Sequence, residues 1–342
     1  MDSHFHRKMR YDEKFYAKRA FSRFFLGYTV LYITAIAVLY ASVIIIRLLL
    51  PFLSKDSANL IVDLFNDSSF GIFYPYALLY LVGLPIMYLL IKNVRTWKIE
   101  KKRLGIGMFL VLFFVNFPFT IMGSLIGTHL TDYINSLLGL EGNGLFTDIP
   151  LWVMAVLSLV IAPIFEELIF RKLLMDRIGV YGAWLSVIVS GLAFGAFHGT
   201  FEQLFYAISG GILFAIAYAK TGKIRYSMAL HFMFNLFGAM IPLLVQEYML
   251  SSTDFYYLLG ILIILATQYG FALVGIVLFI LGLCRGWFSL ENPEGTVKIT
   301  SSRARIMFFN LGSVAFTLLT AFSILVSFMP LADWIALIGS FI

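Results

Sequence analysis

The chain has 342 residues, of which 61% are hydrophobic and 13% charged, and its mean hydropathy is +0.91. Soluble domains contain about 45–50% apolar residues, so this composition excludes an ordinary soluble protein. The net charge of +6 does not indicate nucleic-acid binding, because basic residues accumulate on the cytoplasmic side of membrane proteins. The single cysteine, Cys284, excludes an intramolecular disulfide and does not indicate a metal site.

The segment 1–25 is polar and basic. It has neither the apolar core nor the small-residue cleavage site of a signal peptide. We therefore expect a basic cytoplasmic tail that faces the lipid headgroups.

Long apolar runs follow this tail along most of the chain. Because about 20 apolar residues cross a bilayer as a helix, the runs predict an all-α, polytopic transmembrane helix bundle. About nine spans are expected, with eight as the alternative count. The predicted spans are 26–50, 71–91, 105–128, 151–170, 183–198, 204–219, 227–245, 256–283 and 307–329. The chain is predicted to comprise N-terminal spans (26–130), a core (150–245) and C-terminal spans (250–342). The apolar stretch 330–342 is too short to cross the membrane, and we expect it to lie in the interface or to re-enter the membrane.

Loop charges predict the orientation of these spans. The loop 92–103 and the stretches 171–177, 220–225 and 284–306 are basic, whereas the loops 51–70 and 129–150 are acidic. Since basic loops stay on the cytoplasmic side, the N-terminus is expected inside. The compact loops fit a bacterial cytoplasmic membrane.

Two adjacent glutamates are the only acidic residues within the predicted spans. Glu166 and Glu167 lie near the end of the fourth span, and Arg171 follows. Charges at membrane depth are costly, which makes these residues functional candidates. Glu167 and Arg171 share a helical face and can pair, whereas Glu166 points about 100° away. The alternative is a structural pair with Glu166 reaching the interface, and Arg171 is expected close to interfacial water.

Two further polar sets lie in later spans. Phe194 and His198 are four residues apart, as are His231 and Asn235, so each pair shares one helical face. Each set alone fits a structural hydrogen bond between helices. Three sets within about 70 residues favour one shared interior site. Glycines also occur every four residues around Phe194, at Gly191, Gly195 and Gly199. This spacing indicates close packing against another helix.

These residue types fit hydrolysis within the membrane. No nucleophilic serine or cysteine accompanies them, so water is the expected nucleophile and a buried glutamate its general base. His231 and Asn235 could stabilise an oxyanion, since both can donate hydrogen bonds. Alternatively, Glu166, His198 and His231 could bind a divalent metal such as zinc. The HExxH motif of helical zinc proteases is absent.

The order Glu-Glu-xxx-Arg, Phe-xxx-His, His-xxx-Asn resembles the CPBP family, which groups CAAX-processing and bacteriocin-processing intramembrane proteases. The stretch 210–222 also looks like the family's link between its second and third motifs. The resemblance implies that Glu166 activates water with help from His198. It also implies that His231 and Asn235 stabilise the oxyanion, with Glu167, Arg171 and Phe194 supporting.

The function expected from this resemblance is an intramembrane endopeptidase. Its substrate would be a peptide or a lipidated protein, in contact with membrane lipids and without nucleic acid. The alternatives are a non-catalytic scaffold or regulator that binds a membrane protein partner, and a transporter. A transporter would be expected to show internal repeats, and the sequence shows none.

One geometric difficulty accompanies a shared site. On straight spans His198 lies near the outer end of its helix, whereas Glu166 and His231 lie toward the inner side. These positions could be about 20 Å apart at 1.5 Å per residue. The helix that carries His198 is therefore expected to be displaced.

Overall fold

The computed structural model describes residues 2–97, 99–140, 149–249, 254–292, 295–296, 305–306 and 309–328. Within these ranges all regular secondary structure is helical, which confirms the all-α, polytopic membrane bundle. Helix α1 is Asp2–Leu49, α2 is Lys55–Asn66, α3 is Ser68–Ile91, α4 is Ile106–Leu138 and α5 is Leu151–Tyr181. Helix α6 is Ala183–Phe197, α7 is Phe201–Thr221, α8 is Ile224–Tyr248, α9 is Phe255–Cys284 and α10 is Leu311–Ser327.

Each of the nine predicted spans coincides with one of these helices. In the described part of the chain, seven helices are long and apolar enough to cross a membrane. Helices α6 and α10 are shorter, at 15 and 17 residues. A 15-residue helix is about 22 Å long, less than the roughly 30 Å hydrocarbon layer. The number of crossings therefore stays a prediction, and the stretch 330–342 lies outside the described residues.

The chain forms two compact units, of which the first comprises Met1–Arg95, Phe146–Met154 and Ile299–Leu318 as far as these are described. Within it α1 packs on α3, where a Cβ at Gly83 would lie 2.6 Å from the carbonyl oxygen of Leu31. The Phe316 ring packs on Phe25 and Tyr28 of α1. Buried residues of α1 include Ala17, Ala20, Phe21 and Phe24, inside the segment predicted to be a polar tail.

The second unit comprises Thr96–Leu145, Ala155–Lys298 and Leu319–Ile342 as far as these are described, and it holds every candidate site residue. Helix α7 packs between α4 and α6, and α9 also packs on α4. Glycines allow these helices to approach, because a Cβ at Gly123 would lie 2.6 Å from the backbone nitrogen of Tyr206. Phenylalanines of α4, α8 and α9 fill the space between them, among them Phe113, Phe117, Phe234 and Phe271.

Helix α5 continues past the predicted end of its span at residue 170. It runs without a break to Tyr181, so that Glu166 is its midpoint rather than close to its inner end. The next charged side chain, Arg171, pairs with Glu167 in the interior, so the helix does not have to end at water where Arg171 occurs. This extension places Glu166 deep in the bundle.

Candidate active site

The two glutamates lie on a short α-helical stretch of α5 between two wider π-helical stretches. The α-helical stretch is Ala162–Glu167, and the flanking stretches are Leu157–Ile161 and Leu168–Met175. Wide turns of this kind often occur at functional sites, because they change the direction of neighbouring side chains and leave carbonyls without their usual helical partners.

Glu167 and Arg171 form an ion pair within the interior of the second unit. Arg171 Nε lies 2.9 Å from Glu167 Oε2, and both side chains have no exposed surface. A second guanidinium nitrogen bonds the other carboxylate oxygen at 3.3 Å, and the third donates to the Ser190 hydroxyl on α6. The predicted pairing is therefore present, whereas the expectation that Arg171 lies close to interfacial water is wrong. Its charge is instead compensated by Glu167.

His231 lies between the two glutamates. Its Nδ1 is 3.2 Å from Glu167 Oε1, and its Nε2 is 3.9 Å from Glu166 Oε2. Because Glu167 is held as a carboxylate by Arg171, Nδ1 carries the hydrogen and donates it. The Phe214 ring of α7 stacks on the imidazole with centroids 5.0 Å apart. Nε2 is thus directed toward Glu166, at a distance that one water molecule could bridge.

Glu166 is buried like Glu167, but its carboxylate has different contacts. Only 6% of the residue is exposed, and its carboxylate makes no hydrogen bond to any described residue. The two neighbouring glutamates therefore have different environments, as their 100° separation on the helix predicts.

His198 follows the last residue of α6, and its orientation is fixed by its own helix. Nδ1 lies 2.8 Å from the carbonyl oxygen of Phe194, so this nitrogen donates and Nε2 is left for another partner. The Phe194 ring contacts both imidazoles, with centroids 5.1 Å from His198 and 5.6 Å from His231. The structure therefore brings the two histidines into contact with one phenylalanine ring.

In the structure His198 and His231 contact the same Phe194 ring, rather than lying about 20 Å apart as straight spans would place them. Helix α6 is short and ends at Phe197, Gly199 then turns the chain with φ of +67°, and α7 begins at Phe201. Glu166 likewise lies at the midpoint of α5 rather than close to its inner end. Phe194 of α6, four residues before His198, contacts His231 of α8.

Asn235 lies one helical turn beyond His231, at the end of the α-helical part of α8. Its Nδ2 donates to the carbonyl oxygen of Ser158, at 2.7 Å. That carbonyl belongs to a π-helical stretch of α5. The bond fixes the carboxamide and uses one of its two N–H groups, so that one N–H group is left for a further acceptor.

The predicted metal set is not assembled. Among the residues that the structure describes, no three His, Cys, Asp or Glu side chains converge closely enough to hold a metal ion. Glu166, His198 and His231 are all described, and the Phe194 ring contacts both imidazoles. The catalytic steps proposed below use no metal ion.

Two residues that position the site were not identified from the sequence. Ser190 bonds Arg171 and donates to the carbonyl of Phe170, which joins α6 to α5. Phe214 supports the His231 ring. Ser190 precedes Phe194 and His198 at four-residue spacing, so a search along that helical face could have found it. Phe214 carries no polar signal and required the tertiary structure.

Comparison with known proteins finds similarity in the part of the chain that holds the candidate site. Residues 148–237 match the family model described as type II CAAX prenyl endopeptidase Rce1-like. This segment is similar to the CPBP family of membrane proteases. The match contains all seven candidate residues, and the resemblance based on the three motifs is confirmed.

One relative is the Bacillus subtilis (strain 168) protein named "Putative membrane peptidase YdiL". It is 29% identical over 92 residues, which are 27% of this chain and 38% of the relative. The chain thus spans well under half of the length of this relative. No solved structure matches the chain.

Proposed function

We propose that this protein is an intramembrane endopeptidase that hydrolyses a peptide bond of a membrane-associated peptide or lipidated protein. The observation that carries the proposal is the pair of glutamates. Glu167 is held by Arg171 and His231, whereas Glu166 has no hydrogen bond to a described residue and faces His231 Nε2 at 3.9 Å. An unengaged carboxylate beside an imidazole is suited to take a proton from water.

In the proposed reaction Glu166 removes a proton from water as the water oxygen attacks the carbonyl carbon. His198 Nε2 accepts a hydrogen bond from the same water and holds it. The developing oxyanion accepts a hydrogen bond from the remaining Nδ2–H of Asn235. When His231 carries a second proton, its Nε2–H is also a donor and Glu167 stabilises the imidazolium. Glu166 then delivers its proton to the leaving nitrogen, and the C–N bond breaks.

The surroundings of the site support a membrane location for this chemistry. The site lies between helices α5, α6 and α8, and α7 supplies the Phe214 ring. We further propose that the protein resides in a bacterial cytoplasmic membrane with its N-terminus inside. The basic loop 92–103 supports that orientation.

The test compares protein termini in four strains, which carry the wild type, Glu166→Gln or Glu100→Gln at matched abundance, or no copy. The proposal expects termini that appear only with the wild type, and these termini identify the substrate. Glu100→Gln, which removes an exposed carboxylate, is the matched control and should give wild-type termini. Identical termini in all strains, together with rescue of the deletion by Glu166→Gln, would overturn the proposal in favour of a scaffold.

A further inference from the structure

The second unit contains a cavity of about 950 Å³ whose lining includes none of the seven candidate site residues. Four stretches line it, namely 99–108, 172–186, 218–222 and 289–292. These stretches overlap the four basic regions predicted to face the cytoplasm, which are 92–103, 171–177, 220–225 and 284–306. The cavity is therefore a feature of one end of this unit, distinct from the hydrolytic site.

The family segment alone does not build this cavity. The stretches 99–108 and 289–292 lie outside residues 148–237, whereas the other two lie inside. Direct contacts join the parts. Asn292 Oδ1 accepts a hydrogen bond from the backbone N–H of Ala183, and Lys220 Nζ donates to the carbonyl of Ser289. The cavity thus depends on parts of the chain that the family model leaves unmatched.

Three of the basic side chains at the cavity already have partners. Lys172 pairs with Asp176, and Lys220 donates to the Ser289 carbonyl. Lys102 lies 3.2 Å from Glu100 and 3.3 Å from Glu291. Hydrogen bonds to Glu100 and then Glu291 raise the pKa of Lys102, so that it stays charged at neutral pH.

Lys101 and Arg103 differ from these three residues. Both line the cavity and are exposed, and neither makes an ion pair or a hydrogen bond with any residue of the described ranges. Two positive charges at one cavity without an anionic partner indicate a site for an anion. Their guanidinium and ammonium groups suit a phosphate group, which accepts several charge-assisted hydrogen bonds.

Apolar side chains line another part of the same cavity. They include Leu104, Met108 and Leu290, close to the start of α4. A free phosphate ion would gain nothing from these surfaces, whereas a phospholipid has a glycerol and acyl portion to place against them. Basic pockets between membrane helices at the cytoplasmic side are typical sites for anionic lipid headgroups.

We propose that this cavity binds the phosphate group of an anionic phospholipid through Lys101 and Arg103, with the apolar lining in contact with the lipid's glycerol and upper acyl portion. Binding at this place would fix the segments 99–108 and 289–292 against the family segment. The proposal does not depend on proteolysis, and its test measures binding alone.

The experiment uses the purified full chain in a neutral detergent and follows its thermal unfolding midpoint. The probes are dihexanoyl-phosphatidylglycerol, dihexanoyl-phosphatidylcholine and inorganic phosphate. A ligand that binds the folded state raises the midpoint with increasing concentration. The proposal expects a saturable rise with phosphatidylglycerol and none with phosphatidylcholine. Inorganic phosphate should produce a similar rise only at concentrations about tenfold higher or more.

Two double variants identify the site. Lys101→Gln/Arg103→Gln should weaken the apparent affinity for phosphatidylglycerol about tenfold or more. Arg225→Gln/Arg285→Gln removes the same charge from exposed residues that do not line the cavity, and should leave the affinity within about twofold. Equal weakening by both variants, or equal responses to the two lipids, would overturn the proposal. An equally strong response to free phosphate would assign the site to the ion rather than to a lipid.

Discussion

At the scale of single residues, Glu166 and Glu167 differ in their contacts, and the proposed function gives them different roles. Glu167 and Arg171 have no exposed surface and compensate each other's charge. Removing one member of such a pair leaves the other charge buried without a partner, which costs more than the pair contributes as a whole. Glu166 has no such partner, so a neutral amide can replace it without exposing a charge.

We therefore predict that Arg171→Met lowers the free energy of unfolding by about 3–5 kcal/mol. The double variant Glu167→Leu/Arg171→Met should recover much of this loss, because no isolated charge remains. Glu166→Gln should retain wild-type stability while abolishing product formation. Unfolding in mixed micelles measures all three, with Lys102→Gln as a control that should not change stability, since Lys102 is exposed. Equal stability of Arg171→Met and wild type would contradict the assignment.

The histidines provide a second test at this scale. In the proposed reaction His198 holds the attacking water, so we expect His198→Ala to lower product formation about 100-fold or more. His129→Ala is the matched control, because His129 is an exposed histidine on α4 and should leave the rate unchanged. The termini identified with the wild type supply the peptide substrate for this assay. A rate within twofold of wild type for His198→Ala would remove His198 from the site.

At the scale of elements, close approach of α6 and α7 positions the second motif. A Cβ at Gly195 would lie 2.6 Å from the carbonyl oxygen of Leu204 and 2.3 Å from a side-chain carbon of Ile208. A Cβ at Gly191 would likewise lie 2.5 Å from a side-chain carbon of Ile212 on α7. Gly199 instead makes the turn after α6. Of the three glycines spaced at four residues, two therefore serve packing and the third serves chain reversal.

We predict that Gly195→Ala destabilises the protein by about 1–3 kcal/mol, because the backbone of α7 must move to admit the methyl group. The same shift moves His198, so product formation should fall as well. Gly107→Ala on α4 is the control. A Cβ there meets nothing within 4 Å, and the substitution should be neutral or stabilising by up to about 1 kcal/mol. Unchanged stability of Gly195→Ala would show that the helices are not in close contact.

At the scale of the whole molecule, the orientation in the membrane rests on loop charges and has a direct test. Cys284 is exposed and lies in a loop predicted inside, whereas Asn59 is an exposed residue of α2 in a loop predicted outside. A membrane-impermeant maleimide should label Cys284 only after the cells are permeabilised. The variant Cys284→Ser/Asn59→Cys should be labelled in intact cells. The reverse pattern would invert the predicted topology.

The composition and the apolar runs determined the class of this protein, because a helix that crosses a bilayer requires a length and polarity that few other segments have. Each predicted span coincides with a helix. The spacing of Glu167 and Arg171 likewise determined their pairing, since residues four apart share a face whatever surrounds the helix. Local geometry was sufficient for these features.

Tertiary structure alone decided how the three motifs meet. Three features depend on packing between helices distant in sequence. They are the continuation of α5 to Tyr181, the early end of α6, and the contact of the Phe194 ring with both imidazoles. The same holds for Asn235, whose partner is a carbonyl on another helix, and for Phe214, which has no polar signature. The burial of Arg171 also depends on such packing, because α6 supplies the Ser190 hydroxyl that replaces water as its hydrogen-bond acceptor.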